Sequence, residues 1–139
     1  MDQSRASRRI PRSIGAVFAG LGAIFVLSLG TDAALHAMGI FPAWGQPMND
    51  ALFLLATVYR TVYGVVGSYL AARLAPDRPM RHALVLGVVG LVLSTAGAVA
   101  TWDRGPEFGP HWYPLALIAT ALPCAWAGGK LRHLQLRGR

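Results

Sequence analysis

Arg60 stands in the run LLATVYRTVYGVVG, residues 54–67, among apolar, aromatic and small residues. The nearest acids along the chain are Asp50 and Asp77. A guanidinium stays charged at any physiological pH and offers five donors in a planar fork. It therefore suits a carboxylate, a phosphate or a cluster of carbonyls. A second group of reactive types lies in TDAALHA, residues 31–37, where Asp32 and His36 are four apart. That spacing puts them on one helix face together with Ser28. Asp32, His36, Arg60 and Tyr63 make a candidate polar site for an anionic head group, a quinone or a transported anion, with Tyr59 as a further hydroxyl. The structural alternative is an Arg60 that locks helices together and binds no ligand.

No other residues suggest chemistry. The one cysteine, Cys124, forms no CxxC pair and no cluster for zinc or iron–sulfur. The four histidines, His36, His82, His111 and His133, fall at the ends of apolar blocks or in tails, where histidine is ordinary. No catalytic residue, metal or cofactor is expected, haem included, and the chain does not read as an enzyme.

The elements that must carry these residues are helices long enough to cross a membrane. Of 139 residues, 54% are hydrophobic and only 14% charged, against about 25% charged in a typical soluble domain. A hydrocarbon core of about 30 Å needs roughly 20 helical residues, and four segments qualify: about 14–35, 51–74, 82–101 and 112–129. Each connection between them holds proline, in GIFPAWGQPMND, APDRPMR and DRGPEFGP, and helices tend to stop there. The expected fold is an all-α integral membrane four-helix bundle of two transmembrane hairpins in one domain. The segment SRRIPR before the first apolar block has the outline of a signal peptide. With a long apolar stretch and three more spans after it, it is expected to remain as an anchor.

Charge sets the orientation. Eleven of the thirteen Lys and Arg residues fall on one side, in the tails 1–12 and 130–139 and around the second connection. Only Arg104 falls on the other side, and Arg60 lies inside a span. Cytoplasmic flanks are rich in Lys and Arg, so both termini are expected in the cytoplasm. Trp44, Trp102, Trp112 and Tyr113 gather at the opposite ends of the spans, as an interfacial aromatic belt would. The net charge of +7 would suggest nucleic acid in a soluble protein. Here the charges sit between apolar blocks, so the expected partner is the lipid bilayer and not nucleic acid.

Small residues recur on all four spans, including Gly15, Ala19 and Gly22 on the first, Gly64 and Gly67 on the second, Gly87, Gly90 and Gly97 on the third, and Gly128 and Gly129 on the fourth. Such faces let helix backbones approach closely in lipid. They fit a compact bundle, and equally a homo-oligomer or a larger membrane complex. The two halves share short strings, VLS at 26–28 and 92–94 and LLAT against LIAT at 54–57 and 117–120. A duplicated hairpin would produce these strings, and so would chance.

Arg60 lies about 15 Å along its helix from Asp50 at 1.5 Å per residue, near the middle of its span. At 100° per residue it shares a side with Phe53, Ala56, Thr57, Gly64, Gly67 and Ala71, so it is expected to face protein and to donate to a protein acceptor. Two acceptors fit. Pro123 cannot donate to residue 119, which frees the Ala119 carbonyl at a similar depth. Asp32 matches by charge, provided the first helix tilts or runs on past His36.

In LGTDAALHAMGIFP, YRTVYGVVG and APDRPMRHAL the chain resembles small four-span inner-membrane proteins of bacteria whose activity is uncharacterised. The resemblance implies a multi-pass inner-membrane location and no particular activity. The functional expectation is a non-enzymatic interaction or structural subunit. The alternative is a transporter or small-ligand binder using the polar site around Arg60.

Overall fold

Asn49 opens the second helix: its side chain accepts a hydrogen bond from the Leu52 amide at 3.0 Å, satisfying one of the free amides of the first turn. Pro79 opens the third, in the first turn where its missing N–H is not needed. The first helix ends at Ala37, and Gly39, at φ +72°, takes the left-handed turn that follows. A computed structural model describes residues 3–139. Residues 1 and 2 of the expected N-terminal tail lie outside the described residues. The helices are α1 Gln3–Ala37, α2 Asp50–Leu74, α3 Pro79–Thr101 and α4 Trp112–Arg137, with a short 3-10 turn at Pro106–Phe108 before α4. All four long helices are long and apolar enough to cross a membrane.

Each of the four expected segments lies within one helix, but two of the helices run well beyond theirs. Helix α1 begins well before residue 14 and passes through Pro11, and α4 continues beyond residue 129 to Arg137. A helix stops at a breaker or a cap, not where hydrophobicity fades. Nothing between Lys130 and Gly138 breaks α4. Pro11 removes one backbone bond at an exposed position, where the freed carbonyl stays accessible to solvent.

Helix α2 packs closely against α1 and α4, and α3 packs against α4, whereas α1 and α3 meet only lightly. Small residues decide where the backbones meet. A Cβ at Gly20 would fall 2.5 Å from the Gly67 carbonyl oxygen, and one at Gly67 would fall 2.6 Å from that of Gly20. Ala71, Ala72, Ala83 and Ala125 are fully buried, and Leu86 is the largest side chain so enclosed. Large apolar side chains such as Phe18, Val26, Val92 and Val99 point outward. Small residues inside and large apolar ones outside are compatible with a multi-pass membrane protein.

Not every expected small face is used. Gly15, Gly22, Gly90 and Gly97 have open space where a Cβ would stand.

Candidate functional site

Asp32 lies in the last two turns of α1, and Tyr59 and Arg60 are consecutive on α2. The antiparallel α1–α2 hairpin brings them together. Arg60 Nη2 donates to Asp32 Oδ2 at 2.5 Å, and the Tyr59 hydroxyl donates to Asp32 Oδ1. Both carboxylate oxygens are thus held by neighbouring residues of one helix. The Asp32 side chain is 12% exposed and that of Arg60 31%. The Arg60 Nε is buried and has no acceptor among the described residues.

One turn further along α2, Tyr63 meets Thr31 at 2.7 Å. The Thr31 hydroxyl already donates its single proton to the Leu27 carbonyl at 2.7 Å, so the Tyr63 hydroxyl is the donor and Thr31 Oγ1 the acceptor. Tyr59 also belongs to a buried apolar cluster with Phe41 and Ala56, against which Leu35, Leu52 and Tyr113 pack.

The acceptor of Arg60 is therefore Asp32, not the Ala119 carbonyl. The condition for it holds, since α1 runs past His36 to Ala37. Of the residues singled out beforehand, Asp32 and Arg60 touch directly, and Tyr63 joins the same α1–α2 seam through Thr31. His36 lies apart: its Nδ1 is 2.6 Å from the Pro42 carbonyl, and its ring stacks on Trp44 at 3.7 Å between centroids. It braces the α1–α2 connection. Thr31 was missed. It is small, and it carries no sequence signal beyond its place beside Asp32.

Arg60 also borders a second feature, a cavity of about 190 Å³ lined by all four helices. Its walls are mostly apolar, with Ser28, Ser68, Ser94 and Cys124 among the polar atoms. Thr61 and Thr120 also reach it, but their hydroxyls are spent on the carbonyls of Thr57 and Ala116. Cys124 donates from Sγ to the Thr61 carbonyl at 3.4 Å.

Comparison with known proteins finds no matching family model, no matching curated protein and no matching solved structure. The reading of this site rests on its own geometry.

Proposed function

We propose that the chain is a non-enzymatic, multi-pass protein of a bacterial inner membrane, with both termini in the cytoplasm, that acts as an interaction or structural subunit. One observation carries the reading: the charge of Arg60 is answered within the chain, by a carboxylate whose other oxygen is also occupied. A cation in a membrane span needs a partner, and here it needs no ligand to supply one. The knot pins α1 to α2 and leaves the outer helix faces for other proteins. Gly15, Ala19 and Gly22 recur along α1, and beside the two glycines there is open space.

The second reading is a binder of a small anion, lipid head group or quinone, and the cavity bordered by Arg60 favours it. Native mass spectrometry of the purified protein, combined with thermal unfolding, separates the two. The first reading expects a homo-oligomer or a stoichiometric protein partner, and no stabilisation by quinone analogues or small anions. Saturable stabilisation that disappears in Arg60→Met, from a monomer without partners, would replace it with the second.

Orientation has its own test. A reporter active only in the cytoplasm is expected to be active when fused after Arg139, because eleven cations lie on that side. A well-expressed but silent fusion would reverse the topology.

A further inference from the structure

The contact between α1 and α3 is light. The cavity beside Arg60 reaches both helices on one side of it. At Gly20 the seam is shut, because a Cβ there would fall 2.8 Å from the Leu86 side chain. On the other side of that closure, towards the basic end of the bundle, lies a separate pocket of about 430 Å³. Ile14, Val17 and Phe18 of α1 and Val85 of α3 form its apolar wall. Phe18 is 67% and Val85 45% exposed, so that wall continues into the apolar outer surface. Ser13, Asp77, Arg81 and His82 form its polar rim.

With Arg9 counted beside it, the rim holds two arginines against one acid. Asp77 is its one acid among the described residues, and Arg9, one turn before Ser13, lies 3.6 Å from it. That leaves Arg81 without an ion pair among the described residues. Arg78 adopts the left-handed conformation, φ +42°, uncommon for a residue with a side chain. Its carbonyl lies 3.2 Å from His82 Nδ1 and accepts the Arg81 amide at 3.0 Å. The turn thus fixes the backbone at Arg81 and the ring of His82 beside the seam.

We infer that this pocket is a binding site for one anionic phospholipid, with its phosphate at Arg81 and Ser13 and an acyl chain laid along Phe18 and Val85. The inference rests on the proposed membrane placement. Charge complementarity selects the head group: a guanidinium binds phosphate through paired hydrogen bonds, and basic pockets between transmembrane helices at the cytoplasmic surface suit anionic lipids. The apolar wall selects a lipid over a soluble phosphate.

The experiment places the full chain in nanodiscs of mixed phosphatidylglycerol and phosphatidylcholine and counts the phospholipids retained in native mass spectrometry. Wild type is expected to keep one phosphatidylglycerol and no phosphatidylcholine. Arg81→Gln is expected to lose it, at least tenfold in occupancy, while Arg137→Gln with Arg139→Gln keeps it. Equal loss in both variants would mean diffuse attraction and overturn the site, as would an unchanged Arg81→Gln. Titration of wild type, needing no variant, is expected to raise the thermal midpoint and saturate at one phosphatidylglycerol per chain. A non-saturating rise, or the same rise with glycerol 3-phosphate, would also overturn it. Anionic lipid fills both leaflets of the disc, so a reversed topology would appear in the reporter fusion and not here.

Discussion

Gly128→Val is expected to prevent α4 from seating on α2. A Cβ at residue 128 would stand 2.5 Å from the Tyr69 amide nitrogen, 2.6 Å from the Val65 carbonyl oxygen and 2.7 Å from the Ser68 Cβ. Two of these are backbone atoms, which cannot swing aside as a flexible side chain would. The helices must separate, and the close backbone contact between α2 and α4 is lost. The expected loss is about 3 kcal/mol or more, the upper end of overpacking. Gly22→Val is the control, because nothing stands within 4 Å of its Cβ position, and it is expected to stay within about 0.5 kcal/mol of wild type. Thermal unfolding in detergent, followed by circular dichroism, reads both. Equal losses would contradict the packing. A loss at Gly22 only when the protein is oligomeric would place α1 in a contact between chains.

Removing either partner of the polar knot is expected to be nearly as damaging. Asp32→Asn leaves the Arg60 guanidinium in an apolar span with a neutral amide as its neighbour. Arg60→Met leaves Asp32 with Tyr59 as its only donor among the described residues. Breaking a buried pair from one side costs roughly 3–5 kcal/mol. The lower end applies here, about 3 kcal/mol, because 31% of the Arg60 side chain remains accessible. Denaturant unfolding of each variant measures the loss, and a change below about 0.5 kcal/mol in both would show that the pair does not hold α1 to α2.

Much of this arrangement was legible in residue order. Four apolar stretches of sufficient length foretold α1 to α4, and proline and glycine marked the connections. The inward side of α2 followed from periodicity: Phe53, Ala56, Gly67 and Ala71 are buried, while Leu55, Val58 and Val62 are exposed. What remained hidden depends on neighbours. Gly20 and Gly22 look alike in sequence, yet one touches α2 and the other faces open space. Only the rotation of α1 against α2 distinguishes them.

Depth misled on the partner of Arg60. The Ala119 carbonyl matched its level, but Ala119 is exposed, and charge prevailed over depth. His36 shared a face with Asp32, but one turn later that face has passed the end of the bundle. There the ring finds Pro42 and Trp44 of the connection instead. The cationic pocket at the α1–α3 seam was out of reach of the sequence, because its walls are nearly 70 residues apart and α1 and α3 barely touch.

The most direct measurement is a double-mutant cycle on the knot: wild type, Arg60→Met, Asp32→Asn and the two combined, unfolded under the same conditions. The double variant carries no unpaired charge, and its asparagine can still accept from Tyr59. It is expected to be more stable than Arg60→Met alone, with a coupling of about 1–3 kcal/mol. Losses that simply add would contradict this, and would mean that something other than Asp32 holds Arg60.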